Sequence, residues 1–143
     1  YEYDAAGNRV REIGPQGERR YVWDEYSRLS RIEDGAGQVI ATYRYDSYGR
    51  RLWKEAAGTR TYFAYASEGL VGELSSAGTV QRYYGYAPGS LWTTRPLFVA
   101  GAEIAYLHHD QIGAPQAASD RTGALRWKSA YFAFGEADEV VAG

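Results

Sequence analysis

The sequence predicts an all-β protein in which antiparallel β-hairpin repeats form a twisted, curved sheet. Three observations predict this fold: an aromatic signature recurs along the chain, a second glycine series keeps step with it, and no window shows a sustained helical period of apolar residues. The chain has 143 residues, 15% of them aromatic, with 14 tyrosines and 17 glycines. Aromatic residues favour strands and glycine favours turns, so the composition agrees with the pattern.

The repeating signature consists of two aromatic residues at i and i+2, then an aspartate, then a glycine three residues later. Aligned on the second aromatic position, the copies recur at intervals of roughly 20–23 residues, a spacing typical of repeat architectures. These positions are Tyr3, Trp23, Tyr45, Tyr65, Tyr86, His109 and Tyr131. In the third copy Asp46 can accept a backbone hydrogen bond that starts a turn, and Gly49 can adopt the positive φ that closes it. Each copy therefore predicts a hairpin.

A second glycine follows later in each of the first six copies and predicts the turn that leads into the next copy. This series comprises Gly17, Gly37, Gly58, Gly78, Gly101 and Gly123. Connections this short cannot form crossovers, so the predicted sheet is antiparallel. The alternative folds are a closed barrel or a small β-propeller, because two copies match the roughly 40–45 residues of a propeller blade.

Several copies depart from the signature. Ser27 occupies the glycine slot of the second copy, which weakens that turn without removing it. The fourth and fifth copies have Ala66 and Ala87 in place of aspartate, so we expect proline and glycine to hold the fifth turn, at Pro88-Gly89. The segment after it, from Leu91 to Val99, is longer and more apolar than its counterparts.

The composition excludes several classes of function. There is no cysteine, which rules out disulfides, thiolate catalysis and cysteine-based zinc sites. The net charge of −2 gives no electrostatic case for nucleic acid or an anionic membrane as a partner. No stretch approaches the roughly 20 apolar residues of a membrane span. Because the chain begins inside a repeat, we expect it to be part of a longer array.

Two groups of polar residues invite a chemical interpretation. His108 and His109 are adjacent, so a strand points them to opposite faces, and His108 with Asp110 supplies too few ligands for a metal. An acid/base pair of carboxylates is the second hypothesis, but aspartates that cap turns lie at the solvent rim. These aspartates are Asp4, Asp24, Asp46, Asp110 and Asp120. We therefore predict no catalytic, metal or cofactor site.

The aromatic row itself has two interpretations. Tyr45 and its counterparts could stack on a sugar, which would make the chain a carbohydrate-binding surface module. The favoured interpretation is a cross-strand aromatic ladder that packs the sheet, because the row follows the repeat period. Arginine, which greatly outnumbers lysine here, stacks well on such rings, so an arginine–tyrosine ladder on the surface is expected.

The signature resembles the YD repeat of the RHS proteins, which reads Tyr-x-Tyr-Asp-x-x-Gly-Arg at a similar spacing. A later segment is similar to the RHS-associated core near the C-terminal end of bacterial members: Tyr106 to Pro115, Ser119 to Gly123, Trp127, Tyr131 and Phe134-Gly135-Glu136. The resemblance divides the chain into repeats over 1–105, about five two-stranded units, and the start of a core-like segment over 106–143. The residues that carry it are Tyr3, Asp4, Gly7, Trp23, Asp24, Tyr45, Asp46, Gly49, Tyr65, Gly69, Tyr86, Asp110, Gly113, Pro115, Asp120, Gly123, Trp127, Tyr131, Phe134 and Gly135.

The resemblance implies a function without catalysis. RHS repeats wind into a hollow shell that encloses a C-terminal toxin polypeptide of the same parent protein, so this chain would be a segment of the shell wall. Implied partners are that toxin, the neighbouring repeats and the secretion apparatus, and the implied location is secreted or on the bacterial cell surface. A further alternative is part of an autoproteolytic core whose cleavage motif lies downstream. Because an open sheet exposes two edges, we expect the chain alone to self-associate or close on itself.

Overall fold

The chain is all-β, and its strands pair antiparallel. A computed structural model describes residues 1–15, 17–131 and 137–140, and assigns fourteen strands and no helix to them. The strand pairings it gives are all antiparallel, which confirms the predicted fold class. Within these residues, no helix meets the length and apolarity that crossing a bilayer requires. The chain divides into two compact units, Tyr1–Phe63 and Ala64–Gly143.

The first unit is a meander in which each strand pairs with the next one along the chain. Its strands are β1 (Glu2–Tyr3), β2 (Arg9–Gly14), β3 (Gly17–Trp23), β4 (Leu29–Asp34), β5 (Val39–Tyr45), β6 (Arg51–Ala56) and the greater part of β7 (Thr59–Ala66). Side chains alternate between the two faces of the sheet along β5. Ala41 pairs with Ala56 and Tyr43 with Lys54, so both pairs lie on one face, while Arg44 pairs with Trp53 on the other.

The second unit continues the same pairing in chain order. Its strands, after the end of β7, are β8 (Gly69–Ser75), β9 (Val80–Gly85), β10 (Phe98–Ala100), β11 (Ile104–His109), β12 (Pro115–Ser119), β13 (Leu125–Tyr131) and β14 (Ala137–Val140). Gly85 faces Phe98 in this register, and a Cβ at Gly85 would lie 2.1 Å from the Phe98 ring. The glycine therefore gives the ring the room to lie across the sheet between Tyr83 and Tyr106.

The Asp-x-x-Gly turn closes hairpins by one hydrogen-bond pattern. At Asp46 the backbone carbonyl accepts the Gly49 N–H at 3.1 Å, and the backbone N–H donates to the Arg50 carbonyl at 2.9 Å. The carboxylate Oδ1 accepts the N–H groups of Tyr48 and Arg50, both at 2.9 Å. Gly49 has φ of 79°, and the register shifts by one residue between Arg44 and Tyr45. This is a type I turn followed by a bulge.

The same pattern recurs at both ends of the strands. It occurs at Asp4, Asp24, Asp34, Asp110 and Asp120 as well as at Asp46. Asp34 and Asp120 precede the late glycines Gly37 and Gly123, so these two late turns share the motif of the first series. Gly58 instead lies in a two-residue turn between Ala56 and Thr59, which pair with each other. Ser27 adopts φ of 56° and thereby fills the glycine slot of its turn. Gly101 is the late glycine without a positive φ, and a Cβ there would lie 2.9 Å from the Gln81 carbonyl oxygen.

The two faces of the first unit differ in chemistry. One face carries half-buried aromatic rings around Ala41. The opposite face carries a ladder of ion pairs, including Arg11–Glu18 at 2.9 Å and Arg60–Glu55 at 2.8 Å. The buried hydrophobic residues of the described chain are small: Ala41, Ala100 and Ala118. A sheet with so little enclosed core depends on rings and long side chains that pack along its surface.

The turn geometry predicts that alanine substitution has different effects on stability at two glycines. A Cβ would meet no atom within 4 Å at either Gly49 or Gly14, but only Gly49 has a positive φ. We expect Gly49→Ala to lower the free energy of unfolding by about 1–2 kcal/mol, because an L-residue is strained there. The matched Gly14→Ala change should be neutral or slightly stabilising. Urea unfolding monitored by circular dichroism measures both, and equal effects would contradict this turn geometry.

Candidate functional site

The second aromatic residue of the signature donates a hydrogen bond to the preceding hairpin. The acceptor is a backbone carbonyl at the start of the adjacent strand. The Tyr45 hydroxyl donates to the Leu29 carbonyl at 2.9 Å. The Tyr86 hydroxyl donates to the Leu70 carbonyl at 2.6 Å, and the Trp23 indole donates to the Arg9 carbonyl at 2.9 Å. Each acceptor lies at or next to the start of the neighbouring strand. These three contacts, the inter-repeat bonds, join successive hairpins at the end of the strands where the turns of the signature copies lie.

Arginine side chains add further contacts between the hairpins that the inter-repeat bonds join. The Arg28 guanidinium lies 5.1 Å from the centroid of the Tyr45 ring and 4.9 Å from that of Tyr26. Its Nε also donates to the Asp24 carboxylate at 2.8 Å, and its Nη1 donates to the Asp46 backbone carbonyl at 3.0 Å. One arginine thus links its own turn, the next turn and the next signature ring. This arrangement is a cation–π and hydrogen-bond network within the chain.

The first aromatic position of the signature has a carboxylate partner. The Tyr21 hydroxyl donates to Glu12, and the Tyr84 hydroxyl donates to Glu73 at 2.6 Å. Burial, followed by the bond to Glu73, raises the pKa of Tyr84 to about 12. Sequence reasoning missed both glutamates. The available signal was a Val-x-Glu pattern, at Val10–Glu12 and Val71–Glu73, in the strand before each tyrosine.

The predicted signature residues are spread along the sheet and do not converge on one site. Tyr3 is exposed in β1, and Pro115 opens β12 opposite His109. Trp127 lies opposite Ala118, and the backbone of Tyr131 pairs with Ala137 at the end of β13. Positive φ values occur at Gly7, Gly49, Gly69, Gly113 and Gly123. Phe134 and Gly135 lie outside the described residues.

The histidines and Asp110 have structural surroundings. His108 Nε2 lies 2.8 Å from the Ser119 hydroxyl. Burial, followed by the charge of Arg95, lowers the pKa of His109. The Asp110 carboxylate accepts the backbone bonds of its turn and an amide bond from Gln116 at 3.2 Å. Across the described part of the chain, no three His, Cys, Asp or Glu side chains form a group able to hold a metal ion.

The fold and its network define a β-hairpin repeat segment whose polar residues bind one another. No family model matches the chain. It is 30% identical over 168 residues to the toxin protein Tse5 of Pseudomonas aeruginosa, a match covering 90% of this chain and 12% of Tse5. It is 36% identical over 140 residues to RhsA of Dickeya dadantii (90% and 10%) and 25% identical over 167 residues to double-stranded DNA deaminase toxin A of Burkholderia cenocepacia (96% and 12%).

Solved structures share the fold. A Tc holotoxin pore from Photorhabdus luminescens superposes with a TM-score of 0.65 at 15% identity, covering 97% of this chain and 7% of that one. A crystal structure of TcdB2 with TccC3 gives 0.61 at 17% identity, covering 94% and 7%. The resemblance to RHS proteins is thereby confirmed: the chain is homologous to a segment of RHS-type polymorphic toxins. It spans about a tenth of those relatives, and the homology supports a toxin-associated structural role.

The inter-repeat bond at Tyr45 predicts that loss of the hydroxyl lowers the free energy of unfolding at Tyr45 but not at Tyr43, on the same strand. Tyr45→Phe keeps the ring under Arg28 but removes the hydroxyl that binds Leu29, so we expect unfolding to become easier by about 0.5–1.5 kcal/mol. Tyr43→Phe is the control, since the Tyr43 hydroxyl makes no hydrogen bond among the described residues and its ring also lies under an arginine, Arg51. Chemical denaturation gives both values. A Tyr45→Phe protein as stable as Tyr43→Phe would refute the bond.

The turn caps predict that acid weakens the fold. Hydrogen bonds from Thr122, first from its side chain and then from its backbone, lower the pKa of Asp120 to about 2. The folded state therefore binds this proton less readily than the unfolded state. The contribution of ionised Asp120 to the free energy of unfolding is complete above about pH 4 and is lost as pH falls through about 2. Denaturation midpoints measured from pH 7 to pH 2 should decline at the acid end. Asp120→Asn should show a shallower decline, and an unchanged decline would exclude this cap as a contributor.

Proposed function

We propose that the chain is a wall segment of a shell of YD repeats that encloses, and takes part in delivering, a C-terminal toxin polypeptide of the same parent protein. The observation that carries the proposal is the network just described. The signature tyrosines, arginines and aspartates bind their own chain, as at Tyr45, Arg28 and Asp46. Residues used in this way build a continuous surface, and these side chains are engaged with their own chain rather than presented to a substrate.

The names of the relatives support a role without catalysis. They include a DNA deaminase toxin, the tRNA nuclease WapA of Bacillus subtilis and the toxin protein Tse5, so the relatives differ in the chemistry their names state. All of them match this chain over 90–96% of its length. A segment shared by proteins with different activities serves what they have in common, and we infer that this is the container rather than the toxin.

The pairing pattern supports a wall role, because further repeats can extend the sheet through the same kind of contacts. Each hairpin pairs only with its neighbours, so further repeats can add at an end strand by the same pairing. We infer that neighbouring repeats of the parent protein are the lateral partners of the chain. The same proposal implies that the parent protein contacts a secretion apparatus and is secreted or lies on the cell surface.

Limited proteolysis of the whole protein encoded by the gene tests the proposal. If the chain is part of an enclosing wall, the segment C-terminal to it should resist protease in the native protein. Gly49→Ala, which strains a wall turn, should expose that segment to cleavage. Gly14→Ala is the matched control and should leave the segment protected.

Two results would contradict the wall role. One is a C-terminal segment cleaved as fast in the native protein as after it is expressed alone. The other is turnover of DNA or tRNA by the purified 143-residue chain, because the proposal assigns it no catalysis. Both measurements use mass spectrometry or gel analysis of defined products.

A further inference from the structure

The long segment between β9 and β10 is attached to turns of the second unit at two points. Near its middle, the Thr93 N–H donates to the Glu68 carbonyl at 2.9 Å. Closer to its end, the guanidinium Nη2 of Arg95 donates to the backbone carbonyl of Asp110 at 3.2 Å. Arg95 is the one charged residue in the stretch 87–97, so the second attachment is the one that other charges can weaken.

The turn that receives Arg95 has a close counterpart in the first unit. The turn at Asp110 has the same hydrogen-bond pattern as the turn at Asp46. Ahead of each aspartate the register shifts by one residue, immediately before His109 in β11 and immediately before Tyr45 in β5. His109 therefore holds the position in β11 that the signature ring of Tyr45 holds in β5.

Arg95 makes the contact in the second unit that Arg28 makes in the first. Arg28 lies 5.1 Å from the Tyr45 ring centroid and donates to the backbone carbonyl of the residue after that ring. Arg95 donates in the same way to the carbonyl of the residue after His109. A Cβ at Gly113 would lie 2.9 Å from the Arg95 Cδ, so the arginine stem crosses this turn where glycine leaves room for it. The sixth copy thus receives its arginine from the long segment, and the ring in the matching position is an imidazole.

An imidazole differs from a phenol in this position because it can bind a proton near neutral pH. Neutral His109 offers a ring to a guanidinium, whereas protonated His109 repels it. Burial, followed by the charge of Arg95, lowers the pKa of His109, and the charge of Asp110 acts in the opposite direction. The Asp110 carboxylate accepts backbone N–H groups of its own turn and the amide of Gln116. The neutral imidazole is therefore the form that the folded chain favours.

The other ionisable groups around His109 are few. β10 and β12, the strands that flank β11, contain no ionisable side chain. On β11 itself the neighbour is His108, whose Nε2 lies 2.8 Å from the Ser119 hydroxyl and whose charge also disfavours a proton on His109. The guanidinium of Arg95 is thus the charge from another segment that decides how the turn responds to acid.

We propose that Arg95 and His109 form an acid-sensitive contact, which holds the long segment on the Asp110 turn while His109 is neutral and releases it when His109 is protonated. A proton binds more readily to the released state, so the attached state loses stability as pH falls below about 6.5. The aspartate caps titrate below about pH 4, in a separate range. The contact does not depend on the proposed wall role, so release of the segment and protection of the C-terminal polypeptide can fail separately.

Proton NMR titration of the 143-residue chain tests the electrostatic coupling. The ring resonance of His109 is assigned by its loss in His109→Gln. Arg95→Gln should raise the pKa of His109, because it removes the nearby positive charge. Arg121→Gln is the matched control: it removes the same charge from the turn at the other end of β12 and should leave the pKa of His109 unchanged. An unchanged pKa in Arg95→Gln, or an equal rise in both variants, would overturn the proposal.

Hydrogen exchange tests the release itself. The Leu97 N–H donates to the Gly85 carbonyl at 2.7 Å, and the peptide that contains it reports on the end of the segment. After correction for intrinsic exchange, its protection should fall several-fold between about pH 7.5 and about pH 5.5, while peptides from β5 keep theirs.

Two histidine variants assign this loss of protection. His109→Gln cannot bind the proton and should remove the loss, whereas His108→Gln keeps His109 and should retain it. Circular dichroism checks that each variant is folded, and His109→Tyr, which places the residue of the third copy in this position, replaces His109→Gln if that variant does not fold. Protection that falls equally without His109, or that does not change with pH in the native chain, would overturn the proposal.

Discussion

The Asp-x-x-Gly turn, with its carboxylate bound to two backbone N–H groups, is the constraint on which the described structure depends. In a meander every strand pairs with its sequence neighbours, so turn geometry, together with the pattern of buried residues, sets the register. The bulge that follows each aspartate shifts that register by one residue, as between Arg44 and Tyr45. Because a one-residue slip would move a side chain to the opposite face, the turn decides which face receives the signature rings. The inter-repeat bond of Tyr45 is possible only in that register.

The stability of such a sheet has an unusual source. Its buried hydrophobic residues, within the described chain, are alanines, which supply little apolar area. The larger contribution comes from half-buried rings that combine burial with a hydrogen bond and an arginine on the ring, as at Tyr45 with Leu29 and Arg28. Polar groups that a globular enzyme would place in a cleft here hold neighbouring hairpins together. This agrees with the finding that, among the residues the structure describes, no three His, Cys, Asp or Glu side chains form a group able to hold a metal ion.

The strands, the antiparallel pairing and most turns were predictable from the periodicity, because each copy repeats the same short sequence signature. Asp34 was missed, although its carboxylate caps the same turn as the other aspartates. The bond from Tyr45 to Leu29 was missed because a pattern of residue types gives the face of a side chain, not its reach across a register. The fold-back of the β9–β10 segment onto Ser67 and Glu68 depends on atoms about 25 residues away, beyond any local signal.

The places where the signature fails are informative for the same physical reason. Where the aspartate and the arginine of the signature are both present, the arginine binds that carboxylate and the ring of the next copy, as Arg28 binds Asp24 and Tyr45. The fourth copy has Ala66 for aspartate and no arginine before Leu70, yet the bond from Tyr86 to Leu70 persists. The hairpins therefore stay joined through the hydrogen bond of the ring hydroxyl, and the segment between β9 and β10 packs on this turn, where the Thr93 N–H donates to the Glu68 carbonyl at 2.9 Å. In a repeat protein one member of such a network can be lost while neighbouring hairpins stay joined, because the remaining contacts hold the register.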